Sequence, residues 1–216
     1  SMDHKRAKDN DEGLNTGGMG NFSPSPFYTD EVDDFCQKYI YQATVDAMKA
    51  EGRPFKGIIF FGLMLTPDGP KVLEYNARFG DPETQAVLPL MDFDFADMCL
   101  AIINGTLKDF DFKWKKGFSC APVAVSGGYP EAYKKGFEIS IDKEVVEKSG
   151  TKVFIAGGNI KDDKLVTSGG RVLAASSFGE TFEQAWQNSY KALEAISFTD
   201  MFYRKDIGLP GAAESL

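Results

Sequence analysis

The stretch Leu73-Glu74-Tyr75-Asn76-Ala77-Arg78-Phe79-Gly80-Asp81-Pro82-Glu83 reads as the end of a strand, a sharp turn and the start of a helix. Val72, Leu73 and Tyr75 combine apolar bulk with β propensity. Gly80 frees the backbone, Asp81 can cap the N–H groups that follow, and Pro82 suits a first helical position. Residues two apart on a strand share a face, so Glu74, Asn76 and Arg78 are expected to point one way. A carboxylate, a neutral amide oxygen and a guanidinium in a row make poor core. They make a good holder for a hard cation and the phosphate it carries. A solvated edge-strand face has the same spacing, and spacing alone leaves both readings open.

Working outward, Gly57 to Thr66 is a β run and Pro67-Asp68-Gly69-Pro70 a turn, so Lys71 to Asn76 is the returning arm of a hairpin. Before it, Thr29 or Asp30 caps a helix. There Val32, Phe35, Cys36, Tyr39, Ile40, Ala43 and Ala47 make one apolar stripe, assigned to core, until Gly52 stops it. After Pro82, the residues Phe95, Met98, Cys99, Ile102 and Ile103 predict a second apolar helix face, ended by Gly105.

The first 28 residues show no helical or strand period. So long an opening without its own structure implies a functional loop or a chain that starts inside a domain. Asp3-His4-Lys5-Arg6 is a dense polar cluster. Asn15-Thr16-Gly17-Gly18-Met19-Gly20 is a glycine-rich turn whose N–H groups can approach an anion closely. A flexible, solvated tail is the competing reading, although Ser23-Pro24-Ser25-Pro26 stiffens the exit.

From about Phe110 the texture changes. Short β-rich runs (Ser119 to Ser126, Phe137 to Ile141, Lys152 to Ile160, Arg171 to Ser177) alternate with Gly-Gly turns at 127–128, 157–158 and 169–170. That spacing predicts a small, mostly antiparallel sheet. Thr181 to Gln184 is a capping box opening one helix that covers it. Met201 to Ile207 is a candidate last strand and Gly208 to Leu216 a tail. This half concentrates no chemistry and reads as structural or domain-docking.

Composition sets the outer limits. A net charge of −8 argues against a nucleic-acid or anionic-membrane surface, and the longest apolar run, Ile58 to Leu65, is too short to span a bilayer. Cys36, Cys99 and Cys120 form no CxxC pair and predict reduced thiols in a cytoplasmic protein. His4 is the only histidine, which excludes a His-based zinc site or a Ser-His triad.

Taken in order, Asp-His-Lys-Arg at 3–6, Asn-Thr-Gly-Gly-Met-Gly at 15–20 and Gly-Leu-Met-Leu-Thr at 62–66 resemble the phosphoribosylamine–glycine ligase (glycinamide ribonucleotide synthetase) family. So do Leu-Glu-Tyr-Asn-Ala-Arg-Phe-Gly-Asp-Pro-Glu-Thr-Gln at 73–85, Gly-Gly-Arg-Val-Leu at 169–173 and Tyr-Arg-Lys-Asp-Ile-Gly at 203–208. The resemblance implies an α+β fold. A partial ATP-grasp domain, its second subdomain with catalytic loops, would occupy 1–109 and a β-rich C-terminal domain 110–207, with 208–216 as tail. It implies ATP-dependent joining of glycine to 5-phosphoribosylamine through a glycyl phosphate, in purine biosynthesis, with Mg²⁺ or Mn²⁺ as cofactor. By the same resemblance Glu74 and Asn76 match metal ligands and Arg78 the arginine facing the transferred phosphoryl group. Asp3, His4, Lys5, Asn15, Thr16, Gly17, Gly18 and Asp81 match residues on the substrate and phosphate side.

Two departures stand out. Many ATP-grasp enzymes carry an acidic metal ligand on the strand before the turn, and Phe60-Phe61-Gly62-Leu63-Met64 carries none, as is usual in the family it resembles. That family's first half, with its ATP-covering glycine loop, is not found. The expected partner is therefore the N-terminal half of the same enzyme, and the chain alone is expected to be inactive. A non-catalytic nucleotide-binding or scaffold module of the same ancestry is the alternative.

Overall fold

The computed structural model describes residues 1–209. Along the chain, β1 (Met2–Asp3) leads to a hairpin of β2 (Arg6–Lys8) and β3 (Glu12–Asn15), and then to β4 (Gly20–Ser23). Next come α1 (Asp30–Cys36), a π turn (Gln37–Tyr41) and α2 (Gln42–Ala50), then the strands β5 (Phe60–Thr66) and β6 (Gly69–Asn76). Helices α3 (Glu83–Val87) and α4 (Phe95–Asn104) precede β7 (Phe118–Val125), β8 (Ser140–Ile141), α5 (Lys143–Lys148) and β9 (Lys152–Ile155). The chain continues through the hairpin β10 (Gly158–Lys161) and β11 (Lys164–Thr167), then β12 (Arg171–Gly179), α6 (Phe182–Glu194) and β13 (Ile196–Ser197). Among the described residues no helix is long and apolar enough to cross a membrane.

Contacts gather the chain into two units. Among the described residues the first holds Ser1–Pro24, Asp81–Leu90 and 115–209; the second holds Ser25–Gly80 and Met91–Trp114. This grouping by contact does not follow chain order. The reason is strand pairing: β4 lies antiparallel to β7, with Asn21 opposite Ala121 and Phe22 opposite Cys120, nearly a hundred residues on. The opening segment is therefore structured, against the expectation of a stretch without its own elements. Its strands are too short for a period to register.

The first unit is built on a five-stranded antiparallel sheet in the order β1-β4-β7-β12-β9. Strand alternation assigns its two faces. Ser177 bonds Thr151, which reaches Asn188 O of α6, while the adjacent Ser176 donates from Oγ to Gln85 O of α3. Helix α6 thus covers one face and α3 the other. The core on the α6 side includes Cys120, Ala124, Leu173, Ala175 and Leu193. Thr181 caps α6 as predicted, accepting from Gln184 N–H at 3.2 Å, while Gln184 Oε1 accepts from Glu180 N–H, one residue before the cap. The helix capped by Thr181 and the antiparallel pairing of the C-terminal runs agree with the sequence reading, which did not place α3 on the other face. The proposed last strand does not: Met201 to Ile207 contributes one bridge, Phe202 to Val125. Of the predicted tail, residues 210–216 lie outside the described residues.

The second unit holds α1 and α2, joined through the π turn, with the β5–β6 hairpin and α4. Thr29 caps α1 as expected, accepting from Val32 N–H, and Gly105 ends α4 in a left-handed conformation at φ 72°. The apolar stripe assigned to core is so only in its minority. Cys36 and Ile40 are buried, but Phe35 and Tyr39 are exposed, as are Phe95 and Ile103 of α4. Periodicity identified the apolar face without showing what covers it.

Candidate functional site

Glu74 and Asn76 lie on β6. A bulge sits beside Leu73, because Val72 pairs with Leu63 and Glu74 with Gly62; beyond it Tyr75 faces Phe61 and Asn76 faces Phe60 in regular register. Tyr75 stacks edge-on against Phe61, which meets Tyr41 at 4.6 Å between ring centroids. That face of the hairpin carries aromatic contacts, with Tyr75 still 54% exposed. Alternation therefore leaves Glu74 and Asn76 together on the opposite face.

Arg78 departs from expectation, since β6 stops at Asn76 and Arg78 sits in the bend that follows. Its guanidinium nevertheless folds back: Nη1 donates to Phe79 O at 2.8 Å and Nη2 to Asn76 Oδ1 at 3.4 Å. The Glu74 side chain is exposed and makes no hydrogen bond or ion pair among the described residues. No cluster of three or more His, Cys, Asp or Glu ligands occurs among those residues either. A carboxylate and an amide oxygen are hard donors, yet two are too few for a cage. The set fits a cation that takes most of its ligands from a bound phosphate group and water.

The other predicted residues fall in the first unit. Asp3 pairs with Lys5 at 2.5 Å, and its carboxylate packs against Gly18. Burial pushes the Asp3 carboxyl up to about 6, Lys5 opposing and Glu83 adding to the rise. His4 is buried at 2% exposure, and its Nε2 accepts from Gly208 N–H at 3.3 Å. Burial, helped by the Arg204 charge, pulls its imidazole down to about 4. A buried neutral ring so engaged holds the fold together and does not face solvent.

The glycine-rich turn is tightly specified. Thr16 Oγ1 donates to Lys5 O and accepts from Gly18 N–H at 3.0 Å. Gly17 N–H donates to Tyr129 Oη at 3.0 Å. Gly18 sits at φ +117°, and a Cβ there would collide with Pro82 Cδ and Asp3 Oδ1, so only glycine fits. Asn15, the last residue of β3, is exposed.

Asp81 does not cap the next helix, and Pro82 stands at the cap position of α3, not at its first turn. The Asp81 carboxylate instead accepts from Gln85 Nε2 and Arg171 Nη2. Sequence reasoning left Arg171 and Tyr129 without a role. The only available signal was the position of Arg171 directly after Gly169-Gly170.

Comparisons with known proteins identify the family. Residues 1–84 match the phosphoribosylglycinamide synthetase ATP-grasp (A) domain and residues 119–210 the phosphoribosylglycinamide synthetase C domain. The phosphoribosylamine–glycine ligase of Caldanaerobacter subterraneus is 45% identical over 96% of this chain, which spans 49% of that protein. A bifunctional purine biosynthetic protein of Schizosaccharomyces pombe is 49% identical, and the chain spans 26% of it. The crystal structure of the phosphoribosylamine–glycine ligase from Thermotoga maritima superposes with a TM-score of 0.83 at 37% identity, over 96% of this chain and 50% of that one. The biotin carboxylase domain of a Hydrogenobacter thermophilus 2-oxoglutarate carboxylase shares the fold alone, at 15% identity and a TM-score of 0.53. The chain thus spans about half the length of the ligases that it matches. Both domain matches and the glycine-rich and Asn76–Glu83 motifs agree: the chain belongs to the phosphoribosylglycinamide synthetase family.

Proposed function

We propose that this chain supplies part of the substrate-handling apparatus of an enzyme that joins glycine to 5-phosphoribosylamine at the expense of ATP, yielding glycinamide ribonucleotide, ADP and phosphate. The observation that carries the reading is the Glu74–Asn76 face of β6, with Arg78 folded back onto it. Glu74 and Asn76 would hold Mg²⁺ or Mn²⁺, whose chemistry there is neutralisation of phosphate charge. Arg78 offers a planar fork of donors to the phosphoryl oxygens as ATP phosphorylates the glycine carboxylate. Phosphoryl transfer of this kind needs positioning and charge neutralisation more than covalent help, and this face is equipped for both. Lys5, with Asn15, Thr16, Gly17 and Gly18 of the glycine-rich turn, handles substrate and phosphate, and Asp3 and Asp81 set the turn's shape. On this reading the half of the ligases that this chain does not span, an N-terminal half, completes the enzyme. The 216-residue chain alone therefore shows no substrate-dependent ADP release, and binds ATP no better than about millimolar.

The test is Glu74→Gln in the full-length protein. The fold is kept, while metal-dependent glycinamide ribonucleotide formation drops by roughly two orders of magnitude or more. Wild-type turnover at ordinary Mg²⁺ would sink the assignment.

A further inference from the structure

Arg171 opens β12, on a strand whose other residues serve packing. Between Arg171 and Leu173 the register with β7 slips by one residue: Leu173 faces Ala124, but Arg171 faces Val125. A bulge of this kind reverses the alternation of side chains beyond it. Without it Arg171 would share the α6 face with Leu173 and Ala175. With it, the side chain emerges on the α3 face.

There the guanidinium ties two segments far apart in sequence. Nη1 donates to Gly17 O and to Asp81 O, both at 2.9 Å, and Nη2 donates to the Asp81 carboxylate at 3.1 Å. The Arg171 side chain is 22% exposed and that of Asp81 50%, so the clamp rests on three bonds made at once and not on exclusion of water from any one of them. Gly17 lies flat beneath the guanidinium: a Cβ there would stand 3.2 Å from Arg171 Cζ. Gly17 N–H is in turn held by Tyr129 Oη at 3.0 Å. The turn is thus gripped at its carbonyl and its amide, and the guanidinium locks it to the backbone that follows Gly80.

We infer that Arg171 is a positioning residue: it fixes the glycine-rich turn against the Asp81 turn, and through that turn sets the affinity for a phosphate-bearing substrate. The substrate half of this inference rests on the function proposed above; the clamp itself does not. Lysine cannot replace Arg171, because an ammonium has no fixed fork to hold two carbonyls and a carboxylate in one plane.

Two measurements test it. In the 216-residue chain, amide hydrogen exchange is compared for wild type, Arg171→Lys and Arg171→Ala. Both variants should speed exchange at Gly17 and Gly18 by about tenfold or more while the amides of β7 keep their protection. Unchanged exchange at both glycines overturns the clamp. So does acceleration spread evenly over the sheet, which would mark a general stabilising contact, and so does full rescue by lysine. In the full-length protein, Arg171→Lys should raise KM for phosphoribosylamine by about tenfold or more with kcat within about threefold. An unchanged KM overturns the substrate half. If the wild-type full-length protein forms no glycinamide ribonucleotide at all, the proposed function and the substrate half fail together, and the exchange data still decide the clamp.

Discussion

Gly62 sits directly opposite Glu74, and a Cβ placed on Gly62 would come within 2.8 Å of Glu74 Cγ. The missing side chain on β5 is what lets the Glu74 carboxylate lie across the hairpin. Gly62 has no left-handed φ, so alanine is conformationally permitted there. Gly62→Ala is expected to change stability by no more than about 1 kcal/mol, because the lower entropy of the unfolded chain is offset by pushing Glu74 Cγ aside. It should also displace Glu74 and raise the Mg²⁺ concentration needed for half-maximal turnover of the full-length protein by about tenfold. Thermal melts and a Mg²⁺ titration read the two effects separately. An unaltered Mg²⁺ dependence would detach Gly62 from the site.

Arg78→Lys keeps the charge and loses the fork. In the full-length protein kcat should fall by about a hundredfold, with KM for ATP changing far less, because the lost contact belongs to the transferring phosphoryl group. Steady-state kinetics decide it: a pure KM effect would make Arg78 a binding residue.

Arg204 is fully buried and carries an ion network. Its Nη1 lies 2.7 Å from Asp11 Oδ1 and its Nη2 2.7 Å from Asp206 Oδ2, while Nη1 also donates to Arg6 O. Arg204→Met strands two carboxylates and should cost about 3–5 kcal/mol in urea denaturation. Burial pushes the Asp206 carboxyl up, but the bonds from Arg204 and the Asn10 N–H outweigh it and hold it below the ordinary carboxylate range. A depressed carboxylate stabilises the fold above its unfolded pKa, and that stability is lost as pH falls through the folded value. The acid limb below about pH 4 should therefore flatten in Arg204→Met. A wild-type acid limb in the variant would refute the network.

His4 and Asp3 are neighbours that titrate in opposite senses. The His4 imidazole, lowered to about 4, stays neutral in the fold while the unfolded chain takes up a proton below about pH 6.5, so its contribution falls as pH falls. The Asp3 carboxyl, raised to about 6, keeps a proton that the unfolded chain has already released, so its contribution falls as pH rises from about 4 to 6. Each effect is roughly 3 kcal/mol at most, and over pH 4–6 they oppose one another. Relative to wild type, Asp3→Asn should lose stability more steeply on acidification and His4→Gln should gain it. Unfolding free energies at several pH values measure both slopes, and slopes shifted in the same direction would contradict the pairing.

What the sequence determined by itself is local. The alternation of Glu74, Tyr75 and Asn76, the caps at Thr29, Thr181 and Gly105, and the turn between β5 and β6 all rest on residues within one turn or one strand. Side-chain periodicity and backbone propensity act over that range, so they are readable in order. The family motifs at 15–20 and 73–85 were legible for the same reason. Only the tertiary structure decided that β4 pairs with β7, that His4 is buried beside Arg204, and that most of the α1–α2 stripe is exposed. It alone placed Arg171 on Gly17, 154 residues away, through a one-residue bulge that reverses which face the side chain takes. Strand register and buried ion pairs join residues by contact in space, and a one-residue slip inverts the outcome. No periodicity along the chain records such contacts.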